Sequence, residues 1–279
     1  MSECTHHCES CKSGCHKQDA MAQKAPLGEL SSVRRVIAVM SGKGGVGKST
    51  VTALLAVLAR RRGLRVGILD ADITGPSVPR AFGLSERVSE GPDGYFPVRT
   101  KTGIEVMSVN LMLEREDTPV IWRGPVLAGL VERFWSGTVW DDLDLMLIDC
   151  PPGTGDVPMT VLSRLPVDGA VLVTSPQGLV SMIVEKAVHL CERAEVPVWG
   201  MAENFSYYVC PDCGEKHPVY GASSVQALAE RHGVQATAKL PMSPKLTGAM
   251  DKGMCELFEG DWLDGLLEIL LEGLEDDTQ

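Results

Sequence analysis

A glycine-rich segment carries the first recognisable chemistry in this chain. Residues 42–49 read Gly-Lys-Gly-Gly-Val-Gly-Lys-Ser and fit the pattern G-x-x-x-x-G-K-S/T at every fixed position. Glycines in this pattern let backbone N–H groups turn toward a chain of phosphates, and the N-terminus of the following helix adds partial positive charge. The segment therefore predicts a binding site for a nucleoside triphosphate with Mg²⁺.

Most side chains of this segment have a predicted contact. Lys48 would reach the β- and γ-phosphates, the hydroxyl of Ser49 would bind Mg²⁺, and Thr50 would cap the helix or touch the α-phosphate. The predicted nucleotide-binding residues of the segment are Gly42, Lys43, Gly44, Gly45, Val46, Gly47, Lys48, Ser49 and Thr50.

Lys43 is a second lysine near the start of the same segment. A side chain at this position cannot easily fold back onto phosphates that its own loop already surrounds. It is better placed to reach a nucleotide held by another subunit, where it would join Lys48 as a catalytic residue. Lys43 therefore predicts a homodimer.

Three aspartates at predicted strand ends are candidates for the metal site and for catalysis. Asp70 and Asp72 follow the predicted strand Val66–Leu69, and Asp149 ends another apolar run. A carboxylate at a strand end beside a phosphate loop holds Mg²⁺ directly or through water. We expect Asp70 and Asp149 to hold Mg²⁺ together with Ser49. Asp72 is expected to position the attacking water.

Cys210 and Cys213 stand in a Cys-Pro-Asp-Cys-Gly turn, which has the spacing of a metal-binding knuckle. Iron–sulfur clusters and structural zinc usually take four ligands, and this stretch offers two, or three with His217. A two-fold dimer would supply the missing half, because an isologous contact brings the same patch of both subunits together. The alternative is a zinc knuckle completed within the chain, for instance by His217 and Cys255.

A second cysteine cluster lies near the N-terminus, formed by Cys4, Cys8, Cys11 and Cys15. Four thiols within twelve residues can surround one 4Fe–4S cluster without help from the fold, and any order of such a peptide would come from the metal. Two alternatives are a redox-reactive tail and a zinc site aided by a nearby histidine. The nearby histidines are His6, His7 and His16.

Composition restricts the partners and the compartment. Lys and Arg number 26 and Asp and Glu 37, giving a net charge of −11, so the overall field repels nucleic acid and anionic lipid. No segment approaches the ~20 apolar residues that a membrane-spanning helix needs, and residues 1–18 lack the apolar core of a signal peptide. We therefore expect a cytoplasmic protein that binds neither nucleic acid nor membranes.

Apolar runs and helical periodicities alternate from residue 33 onward. Predicted strands are Val36–Met40, Val66–Leu69, Ile104–Val109, Leu143–Ile148, Ala170–Thr174, Val196–Ala202 and Ala236–Leu240. Predicted helices are Ser49–Arg62, Pro76–Phe82, Pro125–Trp135, Val157–Leu165, Met182–Ala194, Val225–His232, Lys245–Lys252 and Trp262–Leu274. Continuous apolar strands separated by helices predict an α/β fold with a single doubly wound, mostly parallel sheet, whose ligands lie at the carboxyl ends of the strands.

The same pattern divides the chain into two parts. Residues 1–32 are predicted to be a flexible, Cys-rich metal-binding extension, and residues 33–279 a P-loop ATPase domain with an irregular cysteine-bearing loop at 205–221. The isolated cysteines should lie in the core, since free cysteine is among the most commonly buried residues. They are Cys150, Cys191 and Cys255.

Several segments together give the chain a family resemblance. They are Lys43–Thr50, Asp70–Ser77, Asp149–Asp156, Thr174-Ser-Pro-Gln177, Glu203-Asn-Phe-Ser206 and Cys210-Pro-Asp-Cys213-Gly. In residues and order they resemble the Mrp/ApbC-type iron–sulfur cluster carriers, a family within the deviant-Walker-A ATPases. The resemblance covers roughly Arg34 to Lys252.

The resemblance implies a MinD-like fold and an ATP-dependent homodimer, with a labile 4Fe–4S cluster held between subunits by Cys210 and Cys213. The cluster would pass to apo iron–sulfur proteins, cluster-assembly proteins would be further partners, and slow ATP hydrolysis would act as a switch. Asn204 and the segment around Pro241 would contact adenine. One position departs from the family, because Ser243 stands where an acidic residue is usual.

Two other functions are compatible with this clan. A spatial organiser of the MinD or ParA kind would need a basic membrane helix or a DNA-binding surface. The C-terminal helix Trp262–Leu274 is instead flanked by acidic residues and is expected to pack on the sheet. An ATP-dependent reductase like the nitrogenase iron protein also bridges a cluster between subunits, but its cysteines lie on separate segments rather than in one C-x-x-C.

Overall fold

The computed structural model describes residues 24–73, 75–113, 124–177 and 180–274 of the 279-residue chain. The strands are β1 (Ser32–Val33), β2 (Val36–Ser41), β3 (Val66–Asp70), β4 (Ser89–Gly91), β5 (Gly94–Phe96), β6 (Val98–Arg99), β7 (Glu105–Ser108), β8 (Asp142–Leu143), β9 (Leu145–Asp149), β10 (Gly169–Thr174), β11 (Val198–Val209), β12 (Lys216–His217) and β13 (Ala236–Pro241). The predicted N-terminal metal cluster of Cys4, Cys8, Cys11 and Cys15 lies outside the described residues.

Eight α-helices connect these strands within the described residues. They are α1 (Lys48–Arg61), α2 (Val78–Phe82), α3 (Gly124–Ser136), α4 (Asp156–Arg164), α5 (Val180–Arg193), α6 (Val225–Arg231), α7 (Pro244–Asp251) and α8 (Asp264–Leu271). Single 3₁₀ turns form at Val109–Leu111 and Cys255–Leu257. The predicted strands and helices appear in the predicted order, and apart from the end of β11 their boundaries differ by a few residues. The short strands β1, β4, β5, β6, β8 and β12 are additional to the predicted strands.

One large sheet organises the fold. Its strands stand in the order β12, β11, β10, β2, β9, β3, β7, β6, and β13 also pairs with β11. The pairs among β2, β3, β7, β9, β10, β11 and β13 are parallel, whereas the short strands β6 and β12 are antiparallel to their neighbours. The predicted doubly wound, mostly parallel sheet is therefore confirmed. The strand order switches at β2, the position where such folds bind ligands.

Both faces of the sheet are buried. Alternate residues of β2 belong to two apolar cores, one on each face. Ala38 and Met40 belong to the apolar core that contains residues of α3, α4 and α5. Ile37 and Val39 belong to the opposite core, which contains residues of α1 and α8. Because side chains alternate along a strand, a strand covered on both faces must be apolar at every position. This explains the unbroken apolar runs of the sequence.

The folded body begins before the predicted boundary at residue 33. The ammonium of Lys24 donates hydrogen bonds of 2.9 Å to the carbonyls of Leu162 and Leu165, at the end of α4. The indole N–H of Trp135 in α3 donates to the carbonyl of Ala25 at 3.1 Å. The last residues of the predicted flexible extension therefore pack against α3 and α4.

The segment predicted as an irregular loop is largely a β-hairpin. β11 continues beyond its predicted end at Ala202 as far as Val209, and β12 pairs with it so that Tyr208 opposes His217. Phe205 has a φ of 59°, and the pairing of β11 with β13 shifts register around it. A bulge of this kind lets a strand continue in a new direction. The prediction of an irregular loop was wrong. The polar residues of the turn concealed the apolar pattern of the strands before and after it.

The C-terminal helix α8 packs on the sheet, as predicted. Its buried residues are Leu266, Leu267, Leu270 and Leu271. The guanidinium of Arg35 donates hydrogen bonds of 2.8 Å to the carbonyls of Leu270 and Glu272. A cation at this end satisfies carbonyls that lack partners within the helix and opposes the negative end of the helix dipole. Across the described residues, none of the helices has the length and apolar character to span a membrane.

Leu267→Ala should lower the free energy of unfolding by about 2–5 kcal/mol, since truncation of a buried leucine leaves a cavity. Leu267 is 0% exposed, whereas Leu257 is 71% exposed. Leu257→Ala is therefore the matched control and should change stability by less than about 0.5 kcal/mol. Urea unfolding followed by circular dichroism measures both, and equal losses would contradict the docking of α8.

Candidate functional site

The glycine-rich segment between β2 and α1 is shaped by close contacts. A Cβ on Gly42 would lie 2.2 Å from Cγ2 of Ile183, and a Cβ on Gly47 would lie 2.1 Å from Nδ2 of Asn204. Gly45 and Gly47 also have φ values of 77° and 81°, a region that side chains rarely adopt. Close neighbouring atoms at Gly42 and Gly47, and positive φ at Gly45 and Gly47, thus both favour glycine in this segment.

Lys48, Ser49 and Thr52 converge on one carboxylate. Nζ of Lys48 lies 2.8 Å from Oδ2 of Asp149. The hydroxyl of Ser49 donates to the same oxygen at 2.6 Å, and the hydroxyl of Thr52 donates to Oδ1 at 2.7 Å. Three predicted site residues therefore meet at one point. Thr52 was not predicted, although its place one helical turn after Lys48 puts it on the same face of α1.

The charged groups of this site lie close enough to shift one another's pKa. Burial disfavours the charge of Lys48, but the attraction and hydrogen bond of Asp149, with further attraction from Asp72 and Asp70, outweigh burial and raise the pKa of Lys48. Burial, reinforced by Asp149, raises the pKa of Asp70 well above its ordinary value. One lysine thus faces three carboxyl groups. A divalent cation bound here would relieve this excess of acidic groups.

Asp70 and Asp72 occupy different depths. Asp70 is fully buried, and its oxygens accept hydrogen bonds from the hydroxyl of Ser108 at 3.1 Å and from the N–H of Asp72 at 3.2 Å. Asp72 lines the cavity described below, and its Oδ2 lies 3.8 Å from Nζ of Lys48. The predicted water-positioning residue therefore faces the cavity. Asp70, predicted to hold Mg²⁺, lies behind the cavity wall and opposite Asp149 in the strand register.

An open cavity of about 250 Å³ lies over the glycine-rich segment. Its lining residues are Ser41, Gly44, Gly45, Val46, Gly47, Lys48, Ser49, Thr50, Asp72, Gly75, Ser77 and Pro152. A lysine, hydroxyl groups, a carboxylate and glycine backbone together fit a chain of phosphates with Mg²⁺. Ser41, Gly75, Ser77 and Pro152 were not assigned as contacts from the sequence. The motifs Asp70–Ser77 and Asp149–Asp156, which contain the last three, were the available signal.

Lys43 is partly exposed and is not among the residues that line this cavity. Its Nζ donates a hydrogen bond of 2.5 Å to Oε1 of Gln177, in the segment after β10. The side chain therefore contacts Gln177 rather than the residues that line the cavity. Gln177 received no role from the sequence, although it belongs to the Thr174-Ser-Pro-Gln177 motif.

Asn204 lies against the back of the glycine-rich segment. Its Nδ2 donates to the carbonyl of Val46 at 3.0 Å, and its Oδ1 accepts from the N–H of Phe205 at 2.9 Å. The left-handed backbone of Phe205 is uncommon for an aromatic residue. Pro241, the other residue expected at adenine, is buried at the end of β13 opposite Tyr207. Asn204 thus contacts the phosphate segment from behind rather than lining its cavity.

Cys210 and Cys213 lie in the turn between β11 and β12. The N–H of Cys210 donates to the carbonyl of Glu215, and the N–H of Gly214 donates to the carbonyl of Cys210, both at 2.9 Å. Hydrogen bonds from the backbone N–H groups of Cys213 and Asp212, and from the Cys213 thiol, lower the pKa of Cys210. The turn therefore favours the thiolate, which is the form that binds metal.

His217 joins the two thiols. Both sulfur atoms and one ring nitrogen of His217 lie within 4.8 Å of one another. In the part of the chain that the structure describes, no fourth Cys, His, Asp or Glu belongs to this group. Cys255, the suggested fourth ligand of an in-chain zinc knuckle, is fully buried, and burial raises its pKa to about 12. That four-ligand site is therefore not formed.

The three isolated cysteines lie in the core, as predicted. Cys150, Cys191 and Cys255 each have 0% exposure. Burial raises the pKa of the Cys150 thiol above its ordinary value and that of Cys191 to about 12. These thiols stay protonated and packed, whereas Cys210 and Cys213 are accessible.

Sequence comparison identifies the family of this chain and several similar proteins. Residues 32–261 match the family described as ParA: NUBPL iron-transfer P-loop NTPase. A protein of Clostridium perfringens named iron-sulfur cluster carrier protein is 44% identical over 259 residues, which cover 90% of each chain. A protein of the same name from Methanocaldococcus jannaschii is 40% identical over 261 residues, covering 91% of this chain and 90% of its own.

Solved structures show the same architecture. A nucleotide-binding protein of Archaeoglobus fulgidus, in complex with ADP and with cobalt found by PIXE, is 42% identical with a TM-score of 0.76. The match covers 83% of this chain and 91% of that one. The cell division ATPase MinD of Pyrococcus furiosus is 22% identical with a TM-score of 0.60, over 85% of this chain and 96% of its own. This second likeness concerns the fold alone.

Gly47→Ala should destabilise the protein more than Gly45→Ala, although both glycines have positive φ. A methyl at Gly45 meets nothing within 4 Å, whereas one at Gly47 meets Asn204. Backbone strain alone predicts that Gly45→Ala lowers the free energy of unfolding by about 1–2 kcal/mol. Urea unfolding measures this change. In an Asn204→Ala background the cost of Gly47→Ala should fall to that of Gly45→Ala. An unchanged cost would contradict the contact.

Proposed function

The chain belongs to the iron-transfer P-loop NTPases, and on this premise we propose that it is an ATP-dependent iron–sulfur cluster carrier. It would hold a labile 4Fe–4S cluster between two subunits and transfer it to apo-proteins. The continuity of β11 carries the proposal. Asn204 on this strand contacts the phosphate segment, and Cys210 follows six residues later at the end of the strand. One strand thus connects the nucleotide site with the cysteine turn.

ATP with Mg²⁺ is the ligand proposed for the cavity over Gly44–Thr50. Lys48 would hold phosphate oxygens, and Ser49 and Asp149, which already share a hydrogen bond of 2.6 Å, would hold Mg²⁺. The bound metal would supply charge neutralisation among the three carboxyl groups. The ADP in the Archaeoglobus fulgidus relative supports this choice of ligand.

ATP hydrolysis is proposed to be slow and to act as a switch. Asp72 lines the cavity and would position the attacking water. Lys43 is bonded to Gln177 of its own chain rather than to groups of the cavity. It is therefore free to exchange this surface contact for a nucleotide phosphate of a second subunit.

The cluster is proposed to bridge Cys210 and Cys213 of two subunits. Each subunit offers two accessible thiols, whereas a 4Fe–4S cluster is usually held by four. Exposed apolar side chains near the turn would be covered by a two-fold contact; they are Tyr208, Val209, Val219 and Tyr220. The printed names of the relatives, iron-sulfur cluster carrier protein, support this cargo.

Partners and compartment follow from this cargo. Apo iron–sulfur proteins are the proposed recipients, and cluster-assembly proteins are the proposed donors. The cytoplasm is the proposed compartment, because reducing conditions keep accessible thiols free. The net charge of −11 and the docked, acidic helix α8 support a protein that binds neither nucleic acid nor membranes. The N-terminal cysteines remain a proposed second site for 4Fe–4S or zinc.

Lys48→Ala should weaken ATP binding by roughly 10- to 100-fold, the value of a charged hydrogen-bonded contact. Lys43→Ala is the comparison. It should change ATP affinity by less than about fivefold, because an exposed charge contributes ~1 kcal/mol or less, yet lower ATP turnover and ATP-dependent dimer formation. Calorimetry and light scattering measure the two effects. An equal loss of affinity in both variants would refute the separate roles.

Anaerobic reconstitution with iron and sulfide tests the cargo site, read by absorbance, electron paramagnetic resonance and iron per chain. Wild type should bind more iron than Cys210→Ser, and more than a variant with serine at Cys4, Cys8, Cys11 and Cys15. Cys210→Ser should also lose transfer to an apo-ferredoxin-type acceptor, since each subunit then offers one thiol. Cys191→Ser, a buried control, should keep transfer. Delivery of a cluster by Cys210→Ser would show that the carrier mechanism is wrong.

A further inference from the structure

The cysteine turn holds three metal-binding side chains from a single chain. Cys210, Cys213 and His217 place two sulfurs and one ring nitrogen within 4.8 Å of one another. The bridging cluster proposed above uses the two thiols of each subunit and leaves the imidazole without a role. His217 is exposed on β12, so it is no packed core histidine. Its approach to the thiols therefore calls for a separate account.

The separation of the three atoms suits one metal ion. With metal–sulfur bonds of ~2.3 Å and metal–nitrogen bonds of ~2.0–2.1 Å, tetrahedral ligand atoms lie roughly 3.5–3.8 Å apart. Since the three atoms already lie within 4.8 Å of one another, side-chain movements of about 1 Å or less would bring them to these separations. Thiolates that bind different irons of a cubane cluster lie further apart, because a metal–metal edge separates their bonds. The hairpin as folded is closer to a single-ion geometry.

The hairpin positions His217 through its backbone. The pairing of β11 with β12 sets Tyr208 opposite His217 and Val209 opposite Lys216. Successive side chains of a strand point to opposite faces. The ammonium of Lys216 lies 4.7 Å from the ring centroid of Tyr207, so the cation occupies the face away from the thiols and His217 occupies the thiol face. The strand register therefore brings an imidazole, rather than a repelling ammonium, to the site.

The donor set defines the class of ion. Two thiolates and one imidazole suit borderline-soft divalent cations such as Zn²⁺, Co²⁺ and Fe²⁺, and not the oxygen-seeking Mg²⁺ of the nucleotide site. Three protein ligands leave one coordination position open, as in sites that exchange a ligand. No fourth ligand joins the group among the described residues.

We propose that Cys210, Cys213 and His217 of one protomer bind a single thiophilic divalent cation, with one coordination position open to water or an incoming ligand. This mononuclear site does not depend on the proposed transport of clusters. Its competition with a bridging cluster does rest on the proposed function, because the same two thiols serve both. A protomer loaded with Zn²⁺ would then be unable to accept a cluster until the ion is removed.

Titration with Co²⁺ tests this site in the full-length chain with Cys4, Cys8, Cys11 and Cys15 replaced by serine. We expect one Co²⁺ per chain, with the visible bands of tetrahedral cobalt and thiolate charge transfer, and displacement by Zn²⁺. His217→Ala should weaken binding at least about 10-fold, the lower end of the effect of losing an outer-shell partner. His189→Ala, an exposed histidine on α5, is the matched control and should bind like the parent.

Two results would overturn the proposal. The first is one Co²⁺ per two chains with an all-sulfur spectrum that His217→Ala leaves unchanged, which would mean a bridged ion. The second is no Co²⁺ binding by the parent protein. Cluster reconstitution of His217→Ala separates this proposal from the carrier function, since that variant should lose cobalt affinity but still take up a cluster. Absence of a cluster in wild type would instead count against the carrier function alone.

Discussion

A buried ion pair between Lys48 and Asp149 lies at the centre of this protein. β2 and β9 are neighbouring parallel strands. The 2.8 Å contact joins the first residue of α1, the helix after β2, to the last residue of β9. Removing one partner of such a pair costs about 3–5 kcal/mol, because the other charge stays buried. The hydroxyls of Ser49 and Thr52 satisfy the carboxylate further. The groups that would bind phosphate and Mg²⁺ thus also join the start of α1 to the end of β9, so a bound nucleotide would have to replace some of these contacts.

Close packing behind the phosphate segment extends this constraint toward the cysteines. Gly47 has no space for a side chain because Asn204 touches it, and Asn204 also bonds to Val46. The bulge at Phe205 then redirects β11 into the hairpin that ends at Cys210. A shift of the phosphate segment would press directly on this strand. The fold therefore connects the phosphate segment and the cysteine turn through one continuous strand.

Burial separates the cysteines of the described chain into two chemical classes. Cys150, Cys191 and Cys255 are enclosed by apolar side chains, which raise their pKa values and keep them as thiols. Cys210 and Cys213 stand in an accessible turn whose backbone N–H groups lower the pKa of Cys210. The same side chain is inert packing in one setting and an accessible thiol, able to bind metal, in the other.

The α/β alternation, the parallel sheet and the phosphate segment could be predicted from the sequence, because they depend on local patterns. These patterns are apolar runs of strand length, helical periodicity, and glycines before Lys48 and Ser49. Three contacts could not be predicted and are known from the structure: Asn204 with Val46, Lys43 with Gln177 of its own chain, and His217 with the two thiols. These contacts join residues that are distant in the chain or set by strand register. Their geometry arises from the packing of strands and helices, which no local pattern specifies.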